Sequence, residues 1–193
     1  GGKVVLAVPP ATSTRLKTAK ENFGEYFLIF SKWDFSKNLT FLMDVIENLR
    51  DENIHFLLAG QWHPPEYKTK IIKLINDKKI NDKITLIGSV EEDQIPELFS
   101  NAIALVHPLF ESWGSTLYES ACNCTTFIAV KDTCINEYLK NSIDCFYLES
   151  NDLQGYCDKI KLLNNDRVLS KNMGKNAWVS IEKIDISNHN KLL

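Results

Sequence analysis

Short apolar runs of strand length alternate with segments of helical periodicity along most of the chain. The apolar runs predict six strands, near residues 26–31, 54–59, 83–87, 103–107, 126–130 and 145–148. The segments between and after them predict helices near 38–50, 65–79, 93–101, 116–122, 133–139, 152–164 and 167–183. The alternation predicts an α/β protein.

The apolar runs 27–30 and 54–58 are nearly continuous, which is typical of strands in a parallel sheet covered by helices on both faces. Six β-α repeats indicate a doubly wound, Rossmann-like sheet of about six strands over residues 25–193. Residues 1–24 fit this pattern poorly, since Pro9 and Pro10 interrupt a short apolar run and a polar stretch follows. We interpret 1–24 as a connecting segment from an upstream domain.

The composition and charge of the chain argue against some classes of function. The chain has 193 residues, 44% of them hydrophobic and 24% charged, with a net charge of -3 and scattered positive charges. These values argue against nucleic-acid binding, and the apolar runs are shorter than the ~20 residues of a membrane span. The five cysteines form no C-x-x-C pair and share no ligand spacing with the four histidines, which favours reduced thiols, a cytoplasmic location and no metal site.

Ligands of doubly wound sheets bind beyond the carboxyl ends of the strands, so the loops there are the first places to look for chemistry. After the first predicted strand, Ser36 is a natural N-cap, which would place Lys37 in the first helical turn. The helix dipole disfavours a cation there. The lysine therefore indicates a nearby anion, unless its side chain simply points into solvent.

The segment after the fourth predicted strand carries Glu111 and Glu119 on either side of Gly114. Gly114 permits a turn, and the amides of Ser115 and Thr116 would then form a helix N-terminus that can bind an anion. Carboxylates facing the same crevice would accept hydrogen bonds from the vicinal hydroxyls of a sugar or ribose. The alternative is a capping box between Thr116 and Glu119, with Glu111 a solvated loop residue.

These residues resemble a known family. Glu111 and Glu119 have the E-x7-E spacing, and residues 111–121 resemble the E-G-F-G-x-P-x-x-E-A signature of the retaining GT-B glycosyltransferases, family 4 (group 1). Lys32 and Lys37 have the spacing of that family's R-x4-K pair, with Lys in place of Arg. Its glycine turns after the second and third strands are matched by Gly60 and by Gly88, Ser89 and Val90. The resemblance runs from about 26 to 148 and covers only the C-terminal, nucleotide-sugar-binding half of such an enzyme.

The resemblance implies a role for each matched position. Lys32 and Lys37 would hold the donor's diphosphate and offset its charge as the glycosidic bond breaks, without a metal ion or other cofactor. Glu119 would accept hydrogen bonds from the ribose, and Glu111 would contact the transferred sugar. The backbone of Gly114, Ser115 and Thr116 would approach the sugar and the phosphate of the donor. The backbone of Gly88, Ser89 and Val90 would border the base. Gly60 would be a further position where the backbone approaches the donor.

Several positions depart from the family's pattern. The family has a glycine, a proline and a second glycine at the positions of Cys124, Thr126 and Cys145. Ser112 replaces the glycine that follows Glu111 in the family. Pro108 lies one residue closer to Glu111 than the family's pattern has it. A side chain in place of glycine adds a Cβ where the backbone approaches a ligand or adopts a positive φ. Altered donor choice and a weakened site are therefore open alternatives. Lys32 keeps the charge of the family's arginine but loses its bidentate fork.

Other residues near the strand ends have two interpretations. Trp33, Trp62 and Trp113 could stack on a base or a sugar, although packing against helices is the commoner role of such residues. His107 could form a polar wall of the donor pocket, but a hydrogen-bonded histidine at a strand end is the simpler interpretation.

The sequence therefore predicts the donor-binding half of a retaining hexosyltransferase, inactive alone because the acceptor side would lie in a missing N-terminal domain. Its partners would be a nucleotide-sugar donor and a glycan or lipid-linked acceptor, as in polysaccharide biosynthesis. Peripheral association of the intact enzyme with the inner face of a membrane stays open. The alternatives are a sugar-nucleotide epimerase or phosphorylase of the same fold, and a degenerate domain that binds a partner without catalysis.

Overall fold

A parallel sheet forms the centre of the protein. The computed structural model describes residues 20–109, 114–131 and 133–189, and its six strands lie in the order β3-β2-β1-β4-β5-β6. The strands are β1 (Tyr26–Phe30), β2 (Phe56–Ala59), β3 (Ile84–Leu86), β4 (Ala102–His107), β5 (Phe127–Val130) and β6 (Phe146–Leu148). All six predicted strands are confirmed, and so is the doubly wound α/β fold.

Six α-helices in the described residues cover the two faces of the sheet. They are α1 (Leu39–Asn48), α2 (Pro65–Lys78), α3 (Ile95–Ser100), α4 (Ser115–Cys122), α5 (Leu153–Asn165) and α6 (Arg167–His189). Buried side chains of α1, α2 and α5 form one hydrophobic core with one face of the sheet. Those of α3, α4 and α6 form a second core with the other face. In the described part of the chain, no helix is both long enough and apolar enough to cross a membrane.

The central strands are apolar because both of their faces are covered. All six residues of β4 are buried, and in β1 Phe27 belongs to one core while Leu28 belongs to the other. Alternate residues of a strand point to opposite faces. A continuous apolar run is therefore the pattern that this position in the sheet requires.

Two helix predictions need correction. The segment predicted as a helix near 133–139 is a 3₁₀ turn, Cys134–Glu137. It stops there because the amide of Lys140 donates to the Asp144 carboxylate at 2.7 Å, which begins a turn into β6. The segment predicted near 93–101 begins as a 3₁₀ turn, Glu92–Gln94, and continues as α3.

The topology places a crevice beside β1 and β4. These two strands are neighbours in the middle of the sheet, yet the chain leaves β1 toward one face and β4 toward the other, since α1 and α4 belong to different cores. The loops that follow β1 and β4 therefore diverge at the carboxyl edge of the sheet. This switch point is where ligands bind in open α/β sheets.

Candidate functional site

A cavity of about 520 Å³ opens at the carboxyl edge of the sheet, and we call it the carboxyl-edge cavity. Seven of its lining residues are those singled out in the sequence: Lys32, Lys37, Gly60, Ser89, Val90, Ser115 and Thr116. The other described residues that line it are Phe30, Ser31 and Gln61. Residues from four separate loops thus meet around one space. Gln61 was missed by the sequence analysis, because it lies in no matched motif.

The loop between β1 and α1 brings two lysines to the cavity. Lys32 is exposed and Lys37 is half-buried. The main-chain carbonyl of Lys37 accepts a hydrogen bond of 2.6 Å from the hydroxyl of Tyr67 in α2. Burial raises the pKa of Tyr67, so this hydroxyl keeps its proton across the physiological range. Tyr67 therefore fixes the backbone from which the Lys37 side chain reaches the cavity.

The same loop corrects the predicted helix start. The N-cap is Asn38 rather than Ser36, and α1 begins at Leu39. Ser36 instead donates both its amide and its hydroxyl to the carboxylate of Asp34, and these hydrogen bonds lower the pKa of Asp34. Lys37 consequently precedes the helix. The helix-dipole argument for a nearby anion does not apply to it, and its place beside an anion rests on the cavity instead.

Gly60 has a steric reason to be glycine. Its φ is +127°, and a Cβ there would lie 1.8 Å from the main-chain oxygen of Ser31. The amide of Gly60 donates to the carbonyl of Gly88 at 2.9 Å, so the ends of β1, β2 and β3 are drawn together. Gly88 differs, since a Cβ there would meet no atom within 4 Å. Packing within the described residues therefore does not require glycine at position 88.

Helix α4 begins at the rim of the carboxyl-edge cavity. Gly114 is its N-cap in the left-handed conformation, with φ +66°, as its predicted role in a turn requires. The first backbone hydrogen bond into this turn runs from the amide of Tyr118 to the carbonyl of Gly114. The amides of Ser115 and Thr116 precede it and have no intrahelical acceptor. They carry the partial positive charge of the helix N-terminus on the cavity side.

The structure describes Glu119 but not Glu111, the two acidic residues predicted at the site. Glu119 lies half-buried in α4, one turn after Ser115 and on the same helical face, but it does not line the cavity. The capping box considered as an alternative is wrong, because the N-cap of α4 is Gly114, which has no side chain, and Thr116 lies inside the helix. Glu111, like Trp113, lies outside the described residues.

The aromatic residues at the strand ends form part of the protein's packing. Trp33 is only 1% exposed, and its indole nitrogen donates to the carbonyl of Ala59 at 2.9 Å. Trp62 packs against it with ring centroids 6.0 Å apart. His107 is buried at the end of β4 and does not line the cavity. Packing, rather than ligand stacking, is thus the role of both tryptophans.

A second cavity of about 350 Å³ adjoins the first, and we call it the α3 cavity. The two cavities share Ser89 and Val90. The α3 cavity continues along α3 and is lined further by Tyr26, Ile87, Gln94, Glu97, Leu98 and Asn101. The sequence analysis missed it, because the cavity forms only where Tyr26 meets residues 87–101, which are distant from it along the chain.

Three of the departures from the family pattern, Cys124, Thr126 and Cys145, lie at the opposite edge of the sheet. Cys124 and Thr126 precede β5, and Cys145 precedes β6, so all three are at the amino ends of strands. All three are buried, and none of them lines either cavity. Cys124 has a φ of +55°, which explains why glycine suits that position.

Burial keeps the thiols of Cys145 and Cys157 protonated. Cys122, Cys124, Cys145 and Cys157 are buried, and none of these four forms a disulfide bond within the described part of the chain. Desolvation raises the pKa of Cys145 and of Cys157. Among residues 20–109, 114–131 and 133–189, no group of three or more His, Cys, Asp and Glu side chains is placed to hold a metal ion.

Comparison with known proteins identifies relatives. The family model described as glycosyl transferases group 1 matches residues 13–178. No match was found among curated proteins.

Solved structures share the fold. A TarM variant from S. aureus, in complex with fondaparinux, alpha-GlcNAc-glycerol and UDP, matches with a TM-score of 0.76 at 21% identity, over 86% of this chain and 34% of TarM. HepE from Anabaena, in complex with UDP and glucose, matches with a TM-score of 0.73 at 16% identity, over 86% and 48% of the two chains. The C-terminal domain of a glycosyl transferase group 1 family protein, LpcC from Francisella tularensis, matches with a TM-score of 0.72 at 18% identity, over 83% and 86%. The chain thus spans less than half of TarM or HepE.

Proposed function

The chain belongs to the glycosyl transferases of group 1, and on that premise we propose that it is the donor-binding domain of a retaining hexosyltransferase. The reaction moves a sugar from a nucleoside diphosphate to an acceptor with retention at the anomeric carbon. The observation that carries this proposal is the carboxyl-edge cavity, where Lys32, Lys37 and the N-terminus of α4 converge.

The cavity suits a diphosphate. Two ammonium groups and the amides of Ser115 and Thr116 supply positive charge from two separate loops. As the glycosidic bond breaks, negative charge grows on the leaving diphosphate, and groups already held in place stabilise it without reorganisation. We propose that Lys32 and Lys37 provide this stabilisation and that the enzyme needs no metal ion.

The proposed donor extends to both sides of the diphosphate. Glu119, on the Ser115 face of α4, would accept hydrogen bonds from the ribose hydroxyls, and Glu111 would contact the transferred sugar. Gly88, whose absent side chain leaves open space, would let the backbone approach the donor. Gly60 would act indirectly, by holding the strand ends that shape the cavity.

The lengths of the relatives support the proposal that the active site is divided between two domains. The chain spans 34% of TarM but 86% of the LpcC C-terminal domain. We propose that it corresponds to such a C-terminal domain and that transfer requires an N-terminal domain that binds a glycan or lipid-linked acceptor. Chain and partner domain would work in the cytoplasm, where a peripheral contact with a membrane would bring a lipid-linked acceptor to the cleft.

A degenerate, partner-binding domain receives no support from the placement of Cys124, Thr126 and Cys145. These replacements motivated that alternative, yet they lie buried at the amino edge of the sheet. An epimerase or phosphorylase of the same fold would use the same donor site. Product analysis separates these activities, because an epimerase converts the donor without an acceptor.

The test is thermal unfolding of the 193-residue chain with and without millimolar UDP, GDP and ADP, repeated with EDTA. A ligand at about 100 times its Kd adds ~2.7 kcal/mol to the free energy of unfolding, which raises Tm by roughly 5–10 °C for a domain of this size. We expect a shift with at least one nucleotide that survives EDTA and is lost in Lys37→Ala. The exposed Lys73→Ala, on α2, is the matched control. No shift with any nucleotide would contradict the proposal.

A further inference from the structure

The α3 cavity continues from the carboxyl-edge cavity and has a defined polar edge. The two spaces meet at Ser89 and Val90, so a nucleotide whose diphosphate lies near Lys37 can extend its base into the α3 cavity. The side chains of Tyr26, Ile87 and Leu98 give this cavity apolar walls, which suit the faces of a planar base.

The polar edge is formed by two residues on one face of a helical segment. Gln94 and Glu97 are three residues apart and both line the α3 cavity, as expected for i and i+3 positions. The side-chain oxygen of Gln94 accepts a hydrogen bond of 3.3 Å from the amide of Glu91. The NH₂ group of Gln94 takes no part in this bond, so it can donate a hydrogen bond to a ligand.

Glu97 offers the opposite chemistry, since an ionised carboxylate only accepts hydrogen bonds. Glu91 is held by the capping box at the start of the segment, while Glu92 and Asp93 do not line the cavity. Among the described residues that line the α3 cavity, Glu97 is thus the one carboxylate. Together the two side chains present one donor and, beside it, a pair of acceptors.

We propose that the α3 cavity holds the nucleobase of the donor and that Gln94 and Glu97 select guanine, so that the substrate is a GDP-sugar. This inference rests on the proposed function. The Watson–Crick edge of guanine presents an acceptor, O6, followed by two donors, N1–H and N2–H, which matches the order of groups on Gln94 and Glu97. The carboxylate accepts both N–H groups in a bidentate, charge-assisted contact.

Other bases match this edge poorly. Uracil presents one donor between two carbonyl oxygens, so a carboxylate beside it would face an acceptor. Adenine presents a single amino group next to the lone pair of N1. A bidentate pair discriminates against the wrong base by about 1–3 kcal/mol, which corresponds to roughly 5- to 150-fold in Kd.

The experiment is isothermal titration calorimetry of the 193-residue chain with GDP, UDP and ADP, in wild type, Glu97→Gln and Glu92→Gln. We expect GDP to bind at least about tenfold more tightly than UDP or ADP. Glu97→Gln should remove most of that preference by weakening GDP alone. Glu92→Gln is the matched control. It makes the same change of charge two residues before Gln94, at a position that does not line the α3 cavity, and it should keep the preference for GDP.

The outcomes separate the two proposals. If UDP or ADP binds as tightly as GDP, or if Glu97→Gln keeps the preference for GDP, the selection of guanine is wrong while nucleotide binding at the cavity stands. If none of the three nucleotides binds, the proposed function itself is contradicted, and the inference falls with it.

Discussion

The carboxyl and amino edges of the sheet are built from the same six strands, yet loops at the carboxyl edge surround open space, whereas buried polar side chains pack against the backbone at the amino edge. At the carboxyl edge, four loops leave a cavity of about 520 Å³ lined by lysines, small polar side chains and the start of a helix. At the amino edge, side chains donate to backbone carbonyls: Lys20 to Ala102, Thr125 to Phe99, Thr126 to Asp144 and Ser170 to Ile103.

The contrast separates two uses of polar residues in one domain. At the amino edge they satisfy buried carbonyls that would otherwise lose their hydrogen bonds on folding. Helix α6 packs so closely against this edge that a Cβ on Gly174 would lie 2.2 Å from the oxygen of Cys124. At the carboxyl edge polar groups line a space that a ligand can enter. Changes at the amino edge should therefore alter stability, whereas changes to side chains at the cavity should alter binding.

The largest effect is expected for Gly60→Ala, because the new Cβ would collide with the oxygen of Ser31 at a φ of +127°. We expect a loss of about 3 kcal/mol or more in the free energy of unfolding, measured by urea denaturation. Gly88→Ala is the control, with open space around its Cβ, and should stay within about 0.5 kcal/mol of wild type while weakening nucleotide binding. Equal stability of both variants would refute this account of the strand ends.

A pH-dependent effect is expected at the amino edge from Lys20, which is 8% exposed. Burial lowers the pKa of Lys20 from 10.5 to about 8. Between these values the unfolded chain holds the proton and the folded chain does not, so the Lys20 contribution to stability rises with pH. The free energy of unfolding of wild type relative to Lys20→Met should increase by about 3 kcal/mol across this window.

Taking the difference between these two proteins removes the contributions of cysteines and tyrosines, which titrate in the same range. Lys175→Met, at an exposed position of α6, is the control and should show no such slope. Denaturation at pH 7.5 and at pH 10 or above tests this, and a difference that falls or stays constant with pH would contradict it.

A smaller effect, confined to binding, is expected for Lys37→Ala. The loss of a charge-assisted contact to phosphate costs about 1.5–3 kcal/mol, so nucleotide affinity should fall by at least about tenfold. The free energy of unfolding should change by no more than about 0.5 kcal/mol, since the carbonyl that Tyr67 binds belongs to the main chain and remains. Loss of stability with unchanged affinity would reverse the roles assigned to the two edges.

The smallest effect on binding is expected for Cys124→Gly, which restores the residue usual in the family. Position 124 adopts a positive φ and lies away from both cavities. Nucleotide affinity should stay within about twofold of wild type, a change of roughly 0.4 kcal/mol. A large gain in affinity would show that this replacement had weakened the site.

Periodicity was sufficient to predict the sheet, and the family's motifs were sufficient to predict much of the cavity lining. The apolar runs predicted all six strands, and the resemblance pointed to Lys32, Lys37 and Ser115, which the fold brings to one space. The N-cap of α1 was missed because two residues compete for the same turn. Asp34 captures the amide and hydroxyl of Ser36, and the helix then starts later.

The α3 cavity could not be predicted, for a different reason. Its walls include Tyr26 and Leu98, whose contact depends on how α3 lies across β1. The hydroxyl of Tyr26 donates to the carbonyl of Leu98 at 2.8 Å, across a separation of 72 residues. No local pattern encodes such a contact, because it is fixed by packing in the second core.

The most direct test of the contrast between the edges is a two-dimensional NMR titration of the ¹⁵N-labelled chain with the nucleoside diphosphate that raises Tm most. We predict that amide signals of Lys37, Gly60, Ser89 and Ser115 shift with a common Kd, while those of Thr125, Thr126 and Ser170 stay in place. Shifts confined to the amino edge, or an unchanged spectrum at saturating nucleotide, would contradict the assignment of the carboxyl-edge cavity as the donor site.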